Sequence, residues 1–318
     1  MFLEDCLVSF VVHSPSSSYI SNAIATSVVN IVLAVAGTIL NSLVLFIFWK
    51  LPKLRSKLSS FAIMHLCSID LGVVTVVNPL FALKSITMVD SPKCLYTVAY
   101  NVALLLFSGI TGCTLFIINI ERYFAIIHPF LHRIHFTKRR FVLTWTFFWF
   151  FDVVWIVCFV YFTFFAKMLV PVILCIMVFT SLFTYIAIYV VARKTMLERN
   201  KVHSNSDLES RRNSMAFLRE LKMAKTYVMV VSLCFFCYLP NVVCTIVTIL
   251  TPDSVLLAYE WGNTFISMNS TLNCLIFYWG NREMRKEGSK ILKKCFHREE
   301  HRQAELNVVQ IRERQTKR

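Results

Sequence analysis

Seven long apolar blocks are the feature that most constrains how this chain folds. A helix needs about 20 mostly apolar residues to cross the hydrocarbon core of a bilayer. The blocks cover residues 24–49, 59–83, 95–127, 141–162, 164–191, 223–250 and 255–279. Charged residues make up only 16% of the chain, whereas about a quarter is usual in soluble proteins. We therefore predict an all-α fold, a bundle of seven transmembrane helices.

The basic residues decide between seven spans and the six-span alternative. That alternative arises because the fourth and fifth blocks are nearly fused, and Lys167 and Pro171 are the only marks of a break between two spans. Lys and Arg total 33, and only Lys84, Lys93 and Lys167 fall on the side shared by the N-terminus and the even-to-odd connections. The positive-inside rule then predicts an extracellular N-terminus and a cytoplasmic C-terminus, which requires an odd number of spans. The net charge of +15 describes a cytoplasmic face that meets anionic lipid and acidic partners, so we expect no nucleic acid partner.

The chain divides into four regions. We assign them as an extracellular N-terminus (1–23), a transmembrane domain (24–281), a short amphipathic helix on the cytoplasmic leaflet (282–296) and a disordered cytoplasmic tail (297–318). The N-terminal residues MFLEDCLVSF include no basic region, so we expect no cleaved signal peptide. Residues 214–222 have helical character and are expected to extend the sixth span into the cytoplasm.

Three cysteines lie where their chemistry could matter. Cys295 follows two lysines in the amphipathic segment and is a candidate for palmitoylation. Cys6 and Cys94 both lie on the outer side, where they are either joined by a disulfide or remain free thiols.

Charged residues interrupt the second and third blocks. Asp70 lies within the second, and Glu121-Arg122-Tyr123 closes the third. A charged side chain at membrane depth is costly, and where it occurs it usually has a function. No metal-spaced His/Cys cluster or nucleophile motif accompanies these residues, so we do not expect an enzyme.

Six motifs in chain order resemble those of the rhodopsin-like (class A) G-protein-coupled receptors, over about residues 24–296. They are Asn41, Asp70, Glu121-Arg122-Tyr123, Trp149 (with Trp145 as the weaker candidate), Cys237 to Pro240 with Tyr238 in the usual Trp position, and Asn273 to Phe277, where Cys274 and Phe277 replace the usual Pro and Tyr. The resemblance implies a plasma-membrane receptor that needs no cofactor, binds an extracellular ligand and activates a heterotrimeric G protein.

The resemblance also implies a conformational switch at the cytoplasmic end. Arg122 is expected to pair with Glu121 on its own helix and with Glu220 on the sixth, which offsets the cost of a buried charge. Breaking the second pair would let the sixth span swing outward and open a cavity for the G protein. The other residues assigned to this switch are Tyr123, Tyr185, Tyr238, Pro240, Asn273 and Phe277. The alternative is an interfacial ion pair with no switching role.

A central polar cluster is the second site that the resemblance implies. It places Thr111, Asn269, Ser270 and Asn273 around Asp70. Oxygen ligands around one carboxylate suit a small hard cation, here sodium as an allosteric modulator. The alternative is a hydrated polar cluster without an ion.

The ligand site is read mainly by exclusion. Leu104 occupies the position where amine receptors carry Asp, and Ser267 the position where opsins attach retinal. The remaining cavity candidates are apolar or uncharged: Phe81, Tyr100, Asn101, Ser108, Asn241, Thr245, Tyr259 and Asn263, together with Leu104 and Ser267. Such walls suit a neutral or lipid-like small molecule.

The fifth span narrows the comparison within the family. Met177 stands eight residues before Tyr185, where most members have Pro. The missing Pro and a nearly absent second outer loop resemble the melanocortin receptors. The wider cluster of melanocortin, lysophospholipid, cannabinoid and adenosine receptors is the looser comparison. The acidic residues that hold calcium and peptide in melanocortin receptors correspond to Leu80, Thr97 and Asn101 here. Two other classes remain open, a receptor-like scaffold or decoy that binds ligand without coupling, and a transporter or channel.

Overall fold

The computed structural model describes residues 17–90, 94–161, 163–201, 208–250, 256–291 and 293. Within these ranges the secondary structure is entirely helical, which confirms the predicted all-α class. The elements up to Gly280 are α1 (Ser17–Lys50), α2 (Pro52–Ser56), α3 (Leu58–Gly72), a π-helical segment (Val73–Val77), α4 (Asn78–Asp90), α5 (Cys94–Ile127), α6 (Pro129–His135), α7 (Lys138–Tyr161), α8 (Thr163–Lys201), α9 (Leu208–Leu250) and α10 (Leu256–Gly280). The fourth and fifth predicted spans are thus separate helices, α7 and α8.

Five stretches of the described residues are long and apolar enough to cross a membrane: Ser17–Lys50, Leu58–Thr87, Leu95–Ile127, Lys138–Val157 and Lys225–Val247. Cys175–Val191 is a shorter apolar stretch within α8. The helix of the seventh predicted span, α10, carries a row of buried polar residues, including Glu260, Asn263, Ser267 and Asn273. This row explains why α10 is less apolar than the others although it packs within the same bundle.

Two helices are longer than the apolar blocks that predict them. The fifth block ends at residue 191, but α8 continues to Lys201. The sixth begins at residue 223, but α9 begins at Leu208 and includes the segment 214–222. Polar residues continue a helix once the membrane-spanning part has formed, so hydropathy marks the span and not the helix.

The second span contains a π-helical segment, Val73–Val77, between α3 and α4. Pro79 follows it and has no backbone N–H to donate to the preceding turn, which is a common cause of such irregularities. Val73, Val74 and Val77 are buried. The wider turn therefore keeps the inner face of this span continuous from Asp70 to α4.

Two glycines allow close helix contacts. A Cβ on Gly262 would lie 2.9 Å from the Cα of Asn241, so α10 and α9 approach backbone to backbone there. A Cβ on Gly37 would meet Val74 and Thr271, which lie on the second and last spans. Small residues at helix contacts are typical of membrane bundles, where association depends on close packing.

The outer surface of the bundle is apolar. Ile39, Phe179 and Phe236 are more than 60% exposed, and many other Val, Ile and Phe side chains point outward. An exposed apolar surface of this extent would be unfavourable in water and suits contact with lipid.

Residues 281–318 form a second unit, of which 281–291 and 293 are described. A helix covers residues 282–291, which we call α11. Asn281 caps it, because its Oδ1 accepts hydrogen bonds from the N–H groups of Glu283 (2.9 Å) and Met284 (3.4 Å). Cys6 and Cys295 lie outside the described residues, as do the predicted tail and nearly all of the extracellular N-terminus.

Candidate functional site

A buried ion pair lies near the C-terminal end of α5. Arg122 donates from Nε to Glu121 Oε2 and from Nη2 to Glu121 Oε1, both at 2.5 Å. The two side chains are 3% and 1% exposed. A bidentate arginine–carboxylate pair is among the strongest polar contacts in proteins, and here it offsets the desolvation of both charges.

His132 on α6 also reaches Glu121. Its Nε2 lies 2.8 Å from Glu121 Oε1. The carboxylate therefore joins the third span to the connection that follows it. Nothing in the residue pattern around His132 predicts this contact, because it depends on how α6 folds back.

Arg122 also contacts the sixth span through an aromatic ring. Its guanidinium carbon lies 5.5 Å from the centroid of the Tyr227 ring on α9. The Tyr227 hydroxyl donates to the carbonyl of Ser59 at 2.8 Å, and its ring meets Phe277 edge-on at 5.8 Å. Tyr227 thus connects the second, third, sixth and seventh spans, and sequence reasoning missed it.

The remaining switch candidates are distributed around this cluster. Tyr185 lines a cavity of about 250 Å³ beside Arg122, together with Asn119, Ser181, Tyr227 and Phe235. Tyr123 stacks on Phe183 at 6.1 Å. Pro240 lies inside α9, and Tyr238 precedes it by two residues. Position 220 is helical, but its side chain is not among those described, so the Arg122–Glu220 pair remains a prediction.

The central cluster contains Asp70 and Asn273 in direct contact. Asn273 Nδ2 donates to Asp70 Oδ2 at 3.3 Å, and both residues are fully buried. Ser270 is a further polar neighbour of the Asp70 carboxyl. Thr111 and Asn269 are buried as well, although the Thr111 hydroxyl donates to the carbonyl of Phe107 on its own helix at 2.8 Å.

Several buried oxygens in the polar core accept no hydrogen bond from the described residues. They are Asn41 Oδ1, Asp70 Oδ1, Asn269 Oδ1 and Asn273 Oδ1. The Asn41 side-chain amide donates hydrogen bonds from Nδ2 to the carbonyls of Gly37 (3.0 Å) and Ser270 (3.2 Å). Acceptor oxygens around a single carboxylate fit either a hard cation or bridging water.

The predicted ligand residues are largely paired with one another. Phe81 and Tyr100 are fully buried and meet edge-on at 5.4 Å. Asn241 Nδ2 donates to Asn263 Oδ1 at 2.8 Å, and the Thr245 hydroxyl donates to the carbonyl of Asn241 at 2.8 Å. The hydroxyl of Ser108 likewise donates to its own helix, to the carbonyl of Leu105 at 3.2 Å.

The other ligand candidates differ in burial. Asn101, Leu104 and Tyr259 are partly exposed, while Ser267 is fully buried and its hydroxyl has no partner among the described residues. The predicted ligand residues thus combine apolar groups and uncharged polar groups, and Asn263 Nδ2 and Ser267 Oγ are buried without a partner among the described residues.

A second ion pair, which sequence reasoning missed, lies among these residues. Lys84 Nζ is 2.9 Å from Glu260 Oε1, and each side chain is 9% exposed. Glu260 lies inside the seventh apolar block, which is the signal that singled out Glu121 and Arg122, whereas Lys84 directly follows the second block. Their separation of 176 positions hid the pairing.

The fourth span holds a buried acid and the two candidate tryptophans. Trp145 Nε1 donates to Thr114 at 3.1 Å, and its ring packs against His65 at 4.8 Å. Trp149 Nε1 has no hydrogen-bond partner among the described residues. The contacts therefore favour Trp145, the weaker sequence candidate, as the residue that ties this span to the second and third. Asp152 is buried beside Gly109.

Comparison with known proteins gives a family match and a structural match for this chain. A family model described as 7 transmembrane receptor (rhodopsin family) matches residues 40–277. The crystal structure of squid rhodopsin superposes with a TM-score of 0.74 at 16% sequence identity and covers 87% of each chain. At that identity the structural likeness shows the fold alone. A search of curated protein sequences found no match.

Proposed function

Because this chain belongs to the rhodopsin family of seven-transmembrane receptors, we propose that it binds an extracellular ligand and activates a heterotrimeric G protein. Family membership makes it a multi-pass membrane receptor and not an enzyme, and it sets aside the transporter or channel alternative. We further propose that it resides in the plasma membrane with its N-terminus outside. The cytoplasmic excess of Lys and Arg supports that orientation.

The observation that carries the coupling proposal is the buried Glu121–Arg122 pair with Tyr227 beside it. In the resting receptor the ion pair orients Arg122, and the contact of Arg122 with Tyr227 holds the third and sixth spans together. An agonist that binds the open arrangement more tightly shifts the population toward it, and Arg122 is then released to face the G protein. The proposed Arg122–Glu220 pair would further stabilise the resting state.

The ligand is proposed to be a neutral or lipid-like small molecule. Leu104 offers no counter-ion to a cationic amine, and Ser267 offers no amine for a Schiff base. Apart from the Lys84–Glu260 ion pair, whose charges offset each other, the neighbouring groups are aromatic rings and uncharged amides, which suit an apolar molecule with few hydrogen-bonding groups. Similarity to the melanocortin, lysophospholipid, cannabinoid and adenosine cluster stays a prediction.

Sodium is proposed as a modulator at the central cluster. Asp70 would supply the charge, and Thr111, Asn269, Ser270 and Asn273 would supply or orient oxygens. The unpartnered buried oxygens support this assignment. A bound cation would neutralise Asp70 and favour the closed packing of the second, third and seventh spans.

G-protein activation in cells tests the coupling proposal. Sensors of G-protein dissociation for each Gα subfamily would be expressed with the receptor and challenged with lipids, nucleosides and amines. We expect at least one sensor to respond to the wild type and not to Arg122→Ala at equal surface expression. Ligand binding without a response from any sensor would instead support the scaffold or decoy reading.

A further inference from the structure

The Lys84–Glu260 pair joins α4 to α10 at the predicted ligand site. Lys84 Nζ lies 2.9 Å from Glu260 Oε1. The same ammonium stands over the rings of Tyr100 and Phe81, at 5.0 and 5.8 Å from their centroids. The lysine charge is thus neutralised within the receptor by one carboxylate and two aromatic faces.

Unused hydrogen-bonding capacity lies on this pair and on the aromatic ring next to it. Glu260 Oε2 and Tyr100 Oη are buried and have no partner among the described residues. Three further buried atoms on the same two helices are without a partner there: Asn263 Nδ2 and Ser267 Oγ on α10, and Thr97 Oγ1 on α5. Buried polar groups in native proteins are nearly always satisfied by protein, water or ligand. The unpartnered Glu260 oxygen and Tyr100 hydroxyl therefore indicate that a polar group from outside is received at this ion pair.

The rest of this region is apolar. Val73, Val77, Phe81 and Tyr100 form a buried cluster, and Leu80, Ala103, Leu104 and Phe107 pack against it. A molecule that reaches the ion pair therefore meets apolar side chains everywhere except at its polar end, which is the arrangement that an amphiphile fits.

We propose that the Lys84–Glu260 pair selects uncharged ligands, namely amphiphiles whose polar end is a hydroxyl or primary amide that donates to Glu260 Oε2 and contacts Tyr100. This inference rests on the proposed function, because it assumes that the outer site binds a small ligand. It adds that selectivity against charge comes from two residues that sequence reasoning did not include.

The selectivity follows from what each ligand would displace. A neutral donor uses the spare oxygen of Glu260 and leaves the contact with Lys84 intact. A carboxylate must compete with Glu260 for Lys84, and an ammonium must compete with Lys84 for Glu260. Either competitor leaves one buried charge of the pair without its partner.

Probes with one chain and three head groups test this proposal. Oleyl alcohol, oleate and oleylamine would be added at equal mole fraction to nanodiscs that contain the full-length receptor. The readout is the change in Tm of the receptor, which needs no G protein. We expect oleyl alcohol to raise the Tm most in the wild type.

Removal of either charge should invert the ranking. Lys84→Met leaves Glu260 unpaired, so oleylamine should become the most stabilising probe. Glu260→Gln leaves Lys84 unpaired, so oleate should become the most stabilising probe. The double variant Lys84→Met/Glu260→Gln has no unpaired charge and should favour oleyl alcohol again. It can still be measured if one of the single variants folds poorly.

Lys290→Met is the matched control, because it removes an exposed charge from α11 and should keep the wild-type ranking. The same ranking in all variants, or no Tm change with any probe, would overturn the proposal. Failure of G-protein activation in the cell assay would leave this ranking intact, so the two proposals fail separately.

Discussion

The guanidinium of Arg122 lies against the ring of Tyr227, with 5.5 Å between the guanidinium carbon and the ring centroid. This contact connects the third span directly to the sixth. Because the Tyr227 hydroxyl is also bonded to the Ser59 carbonyl, the ring is held in place beneath the charge. Movement of the sixth span must break both contacts.

Tyr227→Leu should raise basal signalling more than Tyr227→Phe. Leucine removes the cation–π contact and the hydroxyl, whereas phenylalanine removes only the hydroxyl. A cation–π contact contributes about 0.5–2 kcal/mol and a hydrogen bond about 1 kcal/mol, so we expect roughly a tenfold or larger shift of the equilibrium toward the active state for Leu. Basal G-protein activation at equal surface expression measures this. Equal activity in all three forms would contradict the role of Tyr227.

Glu220→Ala should raise basal signalling by removing the predicted second partner of Arg122. A pair that contributes about 1.4 kcal/mol gives a tenfold change in the two-state equilibrium. Glu209→Ala, on the same helix, is the matched control and should behave like the wild type. Unchanged basal activity in Glu220→Ala, with a receptor shown to couple, would argue against the pair.

Asp70→Asn should abolish the dependence of stability on sodium. Binding to the folded state raises stability by about 1.4 kcal/mol when sodium is at ten times its Kd. The wild-type Tm should therefore be higher in sodium chloride than in N-methyl-D-glucamine chloride of equal ionic strength. By linkage, sodium and agonist must weaken each other's binding equally. An identical wild-type Tm in both salts would leave Asp70 as part of a hydrated cluster.

Lys84→Met and Glu260→Gln should each destabilise the receptor. The double variant should lose less stability than the two single variants lose together. Removing one partner of a buried pair costs roughly 3–5 kcal/mol because the other charge stays buried. Thermal unfolding of the three variants forms a double-mutant cycle. Additive losses in Tm would mean that the two charges do not stabilise each other.

Cys295→Ser should abolish labelling of the receptor with palmitate. The residue follows a basic segment expected at the inner leaflet. Cys175→Ser is a suitable control, because that exposed thiol lies on the fifth span. Labelling that survives in Cys295→Ser would place the acylated residue elsewhere.

Sequence alone determined the all-α class, the seven long spans and the positions of the two buried charged clusters. Backbone groups in a bilayer must be satisfied within each segment, so a long apolar block can form only a helix. The charges of Arg122 and Asp70 within such blocks identified both clusters, because a charged side chain at membrane depth is costly and therefore rare. Glu121 and Arg122 are adjacent, so their pairing was also predictable.

Tertiary structure alone decided which distant side chains meet. Lys84 and Glu260 are 176 positions apart, and Tyr227 reaches Ser59 across 168. A buried helix in a membrane bundle is apolar on all sides, so hydropathy does not reveal which face meets which neighbour. That choice depends on close contacts such as Gly262 against Asn241, and on the π-helical segment that precedes α4. The preference for Trp145 over Trp149 has the same cause, because both lie on α7 and only one comes within reach of Thr114.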